Sequence, residues 1–137
     1  MADQRGFFDL DERYGKLSAA GDPLERLAEL VVFEMFRPTL EIALAYKSGT
    51  ERGGRPPMDC VMMFKVLVLQ ALYDLSDPQA EFQVLDRRTF GRFLGLSEGD
   101  SVPDATTIWK FREALTQAGV IRKLFDQFDL HLKKTGY

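Results

Sequence analysis

Apolar residues recur every three to four positions along most of this chain, and no run alternates apolar and polar residues with a period of two. That spacing predicts helices and no sheet. Asp22-Pro23-Leu24-Glu25 reads as a capped helix start, with proline at the first helical position. Leu24, Leu27, Leu30 and Val31 follow at helical spacing, and Pro38 is expected to end or kink this helix near Phe36. A second helix carries Leu40, Ala43, Leu44 and Tyr46. Met58 to Tyr73 is apolar nearly all round, the pattern of a central helix buried on most sides. Ser76-Asp77-Pro78-Gln79 starts the next helix, for which Phe82, Val84 and Leu85 are expected to supply the apolar contacts. Asp86-Arg87-Arg88 closes it, and Thr89 caps a short helix with Phe90, Phe93 and Leu94 that Gly95 stops. After a polar turn from Leu96 to Val102, a helix runs from about Ala105 to Ala118 and Gly119 ends it. The last helix, Val120 to Lys134, aligns Ile121, Leu124, Phe125, Phe128 and Leu132.

The expected fold is therefore all-α: a compact bundle of about six to seven helices with a helix-turn-helix-like C-terminal half. Residues 1–21, with Phe7, Phe8, Leu10, Tyr14 and Leu17 only weakly periodic, are expected to form a partly ordered arm before a helical domain of residues 22–137. The clearest loop is Lys47 to Pro57, where three glycines and two prolines exclude regular structure.

Composition narrows the class. At 137 residues, 45% hydrophobic and 28% charged, the chain suits one soluble domain. Its longest apolar run, Val61 to Leu69, is broken by Lys65, so no membrane span is expected. The start of the chain lacks the layout of a secretory signal, and a single cysteine, Cys60, forms no internal disulfide. A cytoplasmic location is the default. The net charge of -3 is the wrong sign for a nucleic-acid binder. The charge is polarised, however. Residues 1–86 carry 9 Lys and Arg against 15 Asp and Glu, whereas residues 87–137 carry 9 against 6.

The positive half contains the most informative stretch, Ser101 to Arg112, S-V-P-D-A-T-T-I-W-K-F-R. Ser101 and Asp104 are suited to capping, Thr106 and Thr107 offer hydroxyls in the first turn, and Lys110 and Arg112 offer cations in the next. Ile108, Phe111 and Leu115 form the apolar face. This is the composition of a helix that reads a DNA major groove, as well as of an ordinary capped amphipathic helix. Thr106, Thr107, Lys110 and Arg112 are the candidate DNA contacts. Arg87, Arg88 and Arg92 are secondary candidates for gripping the backbone, and Arg55 in the basic loop is a candidate phosphate contact. Trp109 lies off the apolar face and either packs on the preceding helix or touches a sugar.

No catalytic or metal-binding constellation stands out. His131 is the only histidine and has no partner at metal-ligand spacing. No serine sits in a nucleophile elbow, and the glycines from Gly49 to Gly54 lack the Gly-Lys-Ser/Thr ending of a phosphate loop. The expected cofactor set is empty.

Several blocks in order carry a resemblance: R-P-P at 55–57, L-V-L-Q-A-L-Y-D-L-S-D at 67–77, F-Q-V-L-D-R at 82–87, F-G-R-F-L-G-L at 90–96 and V-P-D-A-T-T-I-W-K-F-R at 102–112. Together they resemble the N-terminal domain of insertion-sequence-five family (InsH-type) transposases, over roughly residues 5–135. The resemblance implies a helical module of a bacterial transposase that binds the terminal inverted repeats of its element as double-stranded DNA. It further implies an RNase H-like catalytic domain whose carboxylate triad holds divalent metal, beginning about where this chain stops at Tyr137. The expectation is thus a truncated front end that is no enzyme as it stands, nucleoid-associated when DNA-bound. An alternative is an interaction fragment that self-associates or pairs with a full-length transposase, or a remnant without function.

Overall fold

Met58 to Tyr73 sits where its composition places it, at the centre. In the computed structural model, which describes residues 23–48 and 58–134, the central helix is α3 (Cys60–Tyr73). It is preceded by α1 (Pro23–Leu30) and α2 (Arg37–Ser48), and followed by α4 (Asp77–Asp86), α5 (Arg88–Leu94), α6 (Ala105–Gln117) and α7 (Ile121–Lys134). The described residues form no strand, so the fold is all-α. The expected arm at residues 1–21 and the basic loop with Arg55 lie outside the described residues.

Helix α3 buries Val61, Met63, Phe64, Val66, Leu67, Val68 and Leu69, and α2, α4, α5 and α6 all pack on it. Asp59 caps its start by accepting the Met62 amide at 3.0 Å. Its end is closed by Asp74 in the left-handed conformation (φ 56°), with the Leu75 amide returning to the Gln70 carbonyl at 3.0 Å. A one-turn 3-10 helix, Phe33–Phe36, inserts two rings beside α3. Phe36 lies 4.8 Å and Phe125 of α7 5.5 Å from Phe64, centroid to centroid, and Phe33 lies 5.5 Å from Phe93 and 5.8 Å from Phe128. This aromatic cluster ties the 3-10 turn, α5 and α7 to the central helix.

Lys65, which interrupts the apolar run, is accommodated by a specific arrangement. Its Nζ donates to the Phe93 carbonyl at 3.0 Å and lies 5.3 Å from the Phe33 and Phe93 ring centroids. Burial holds its pKa below the ordinary lysine value.

Two boundaries and one buried face differ from the sequence expectation. Pro38 starts a helix rather than ending one: α1 stops at Leu30, and Pro38 lies in the first turn of α2, where a missing amide proton costs nothing. The residue before α5 is Arg87, not Thr89, and it makes no side-chain cap. On α4 only Ala80 and Val84 are buried; Phe82 and Leu85, expected in the core, are 60% and 63% exposed. The physical reason is the orientation fixed at the start of α4. Ser76 and Gln79 form a reciprocal capping box, and Asp77 is tied to α6, which turns Phe82 outward.

The connections in the C-terminal half set the frame for the candidate site. From α5 to α6 the chain takes ten residues, Gly95 to Asp104, longer than the three or four of a standard helix-turn-helix. The tight turn lies instead between α6 and α7. It is Ala118-Gly119-Val120, with Gly119 left-handed at φ 73° and the Val120 amide bonded to the Leu115 carbonyl at 3.1 Å.

Candidate nucleic-acid interface

Helix α6 begins under firm control. Asp104 is the N-cap and accepts the Thr107 amide at 2.8 Å. The preceding Pro103 is buried, and the Ala105 amide, which has no partner within the helix, donates to Glu81 Oε1 of α4 at 2.9 Å. Ser101, the other expected cap, is exposed and outside the helix.

With 3.6 residues per turn, the side chains of α6 divide among four directions. Ile108, Phe111 and Leu115 enter the core. Ala105 and Arg112 face α4. Thr107, Lys110, Phe111 and Ala114 line a groove of about 600 Å³ whose far wall is Arg37, Glu41 and Leu44 of α2. Thr106, Lys110 and Trp109 are exposed. Of the four primary candidates, then, Thr106 and Lys110 are open to solvent, Thr107 is half-buried on the α2 side, and Arg112 is committed elsewhere.

That commitment is explicit. Arg112 donates through Nη1 to Asp77 Oδ1 at 2.8 Å and through Nη2 to Asp77 Oδ2 at 2.7 Å, a two-pronged ion pair. Gln70 of α3 joins it, donating to Asp77 Oδ1 at 2.7 Å and accepting from Arg112 Nη1 at 3.3 Å. The hydrogen bond from Arg112 holds the Asp77 carboxyl below its usual pKa, and Asp77 in turn raises the guanidinium. The sequence expectation of Arg112 as a DNA contact meets a physical obstacle: freeing it would strip Asp77 of its partner. Its place in the fold is as a strut joining α3, α4 and α6.

Arg87, Arg88 and Arg92 do come together. They line one groove of about 630 Å³ with Val102 and the Ser97–Asp100 turn. Arg88 and Arg92 are exposed, and Arg87 lies over the Phe90 ring at 5.5 Å from its centroid. Asp86, Glu98 and Asp100 line the same groove, so its formal charge is balanced. Asp100 is held in the turn by the Ser97 amide at 2.7 Å.

A further stripe, outside the residues the sequence singles out for DNA contact, lies on α7. Lys123, Gln127, Leu130 and Lys134 are all exposed and recur at i, i+4, i+7 and i+11; one exposed acid, Asp126, flanks them three residues on from Lys123. The spacing alone signals this stripe, opposite the apolar residues Ile121, Leu124, Phe125, Phe128 and Leu132 of the same helix. His131 is half-buried, with Nδ1 2.9 Å from the Gln127 carbonyl of its own helix. Cys60 is buried, and desolvation raises its pKa away from reactivity. Among the described residues no three His, Cys, Asp or Glu side chains gather as a metal site.

Compared with known families, residues 11–114 match the transposase domain (DUF772) model, which is more than half of the chain. The chain belongs to the transposase domain family DUF772. The match takes in the blocks that open α4, α5 and α6 and stops within α6, before the turn and α7. Membership gives the domain a role in transposition. No solved structure matches it. Among the described residues no helix of the transposase domain is long and apolar enough to cross a membrane.

Proposed function

We propose that this domain binds double-stranded DNA at the terminal inverted repeats of an insertion element of the insertion-sequence-five, InsH-type group. The observation that carries the proposal is the exposed N-terminal part of α6 in a transposase-family domain. Its rigidly capped first turns offer the Thr106 hydroxyl and the Lys110 ammonium to solvent while the same helix is anchored on its other sides. Hydroxyl and ammonium groups at such a helix start serve phosphates and base edges. Arg88 and Arg92 on α5 grip the backbone beside it, and Arg112 acts as a positioning residue that fixes the pitch of α6.

A second arrangement rests on a separate observation. The three-residue turn with Gly119 makes α6 and α7 the tight helix pair, and the exposed stripe Lys123–Gln127–Leu130–Lys134 then belongs to the groove helix. Fluorescence anisotropy of the full chain with a repeat duplex and a scrambled duplex, at several salt concentrations, tests both. Under the first arrangement Lys110→Ala weakens binding and lowers the salt slope by about 0.9. Under the second, that change belongs to Lys123→Ala and Lys134→Ala. Equal affinity of wild type and all three variants for both duplexes, with folding intact, would remove the DNA reading.

A further inference from the structure

Helices α4 and α6 together show solvent a strip of large apolar side chains. On α4, Ala80 and Val84 enter the core, while Pro78, Phe82 and Leu85, spaced i, i+4 and i+7, are exposed on the outside. The Asp77–Arg112 pair and the bond from the Ala105 amide to Glu81 tether α4 to α6 in antiparallel fashion, because the earlier residue of α4 meets the later one of α6. Trp109, 51% exposed, falls between those two tethers on the α4-facing shoulder of α6. Exposed aromatic and aliphatic side chains gathered in this way mark an interaction face.

The charge around the strip has one sign. Helix α4 carries no lysine or arginine. Glu81 adjoins Phe82, Glu113 stands one turn on from Trp109, Asp74 precedes α4 and Asp104 caps the start of α6, so carboxylates border the strip along its length and at both ends. Arg112 is neutralised by Asp77. Lys110 lines the groove toward α2, since consecutive helical positions point about 100° apart. Arg87 and Arg88 line the neighbouring groove, where Asp86, Glu98 and Asp100 balance the cations.

We propose that this acid-bordered apolar face docks a basic amphipathic helix of a different protein, with apolar residues at i, i+4 and i+7 and lysines or arginines beside them. Charge selects the partner: cations are drawn to the border, whereas a second α4 would oppose like charges and DNA would bring phosphates against carboxylates. Backbone geometry selects the form. The strip lies on two helices whose main chains are bonded internally, so an extended segment would find no main-chain partners, while a helix brings its own hydrogen bonds. The ten residues of α4 span about 15 Å, which suits about three turns of the docked helix and a reversible complex.

Trp109 is the only tryptophan of the chain and reports on the face directly. The probe is a synthetic leucine–lysine peptide patterned as an amphipathic helix, titrated into the full chain while Trp109 emission is followed. A saturable blue shift is expected, with an affinity that falls as salt rises. A peptide of the same composition in scrambled order presents no apolar stripe and is expected to bind about tenfold more weakly. Phe82→Ser and Glu113→Lys, neither in the core, are each expected to weaken binding of the patterned peptide about tenfold at unchanged melting temperature. No shift of Trp109 with the patterned peptide would overturn the proposal. So would equal binding of the scrambled peptide, or unchanged affinity in both variants, since the attraction would then be unspecific or lie elsewhere. A blue shift on concentrating the chain alone would give the face to a second copy, and displacement of the peptide by duplex DNA would give it to DNA; either result overturns the proposal. The peptide titration contains no DNA, so its failure leaves the DNA reading standing.

Discussion

Replacing Arg112 by alanine separates a structural strut from a DNA contact. The substitution removes two charge-assisted hydrogen bonds, at 2.7 and 2.8 Å, and leaves Asp77 with only Gln70 Nε2 at 2.7 Å. An exposed pair contributes roughly 0.2–1 kcal/mol, whereas breaking a buried one costs about 3–5 kcal/mol. The Arg112 side chain is 34% exposed and that of Asp77 16%, which puts the pair between these limits. Asp77 also keeps the favourable field at the start of α4, which softens the loss. The expected destabilisation is about 2 kcal/mol, a fall in Tm of roughly 6–10 °C for a domain of this size. Urea unfolding followed by circular dichroism reads it as a lower midpoint at unchanged slope. The pH dependence gives a second reading. Asp77 has a folded pKa depressed below its ordinary 3.8, so its contribution is fully present above that value and lost as the pH falls through the folded one. The gap between wild type and Arg112→Ala should therefore be constant near neutrality and close in acid. An Arg112→Ala variant as stable as wild type whose DNA affinity nevertheless falls would refute the reasoning and return Arg112 to the DNA.

Two further outcomes follow from neighbouring residues. Asp104→Ala removes the cap of α6 and is expected to cost about 1 kcal/mol; hydrogen exchange should quicken at the Thr107 amide, which Asp104 now accepts, and unchanged protection there would argue against the cap. Gln83→Leu replaces a side chain whose buried Oε1 finds no partner among the described residues, so stability is expected to rise by about 1 kcal/mol in urea unfolding, and a fall would show that the oxygen is satisfied in solution.

The helical architecture was legible because burial and periodicity coincide. α3 is apolar all round and lies at the centre, and α7 buries Leu124 and Phe128 of its predicted stripe. The left-handed stops at Gly95 and Gly119 were legible from glycine alone. The same rules misread residues that serve two functions. Pro38 looks like a breaker unless the 3-10 turn before it is known, because proline is equally at home in a first helical turn. Phe82 and Leu85 have the right spacing for a core face, but periodicity does not say which of two apolar faces turns inward. Arg112 lies in a run of groove-reading residues, and only the fold brings Asp77, 35 positions away, onto it. Long-range pairing of this kind leaves no trace in local spacing.

The geometry also limits how α6 alone could hold DNA. Its core and α4 sides are occupied, its α2 side borders the groove with Arg37 and Glu41, and among its described cations Arg112 is paired while Lys110 is exposed. One lysine on this strip gives one phosphate contact and a salt slope of about −1, too shallow for a site-specific complex resting on several contacts. A steeper slope in the wild type must draw on cations outside α6, and the structure offers two sources. Those on α5 share their groove with Asp86, Glu98 and Asp100, which weakens their pull on phosphate; those on the α7 stripe have a single flanking acid, Asp126. If the wild-type slope is steep and survives Lys110→Ala largely intact, this asymmetry of charge points to α7. If the slope collapses to near zero with that one substitution, the narrow strip on α6 was the whole of the contact.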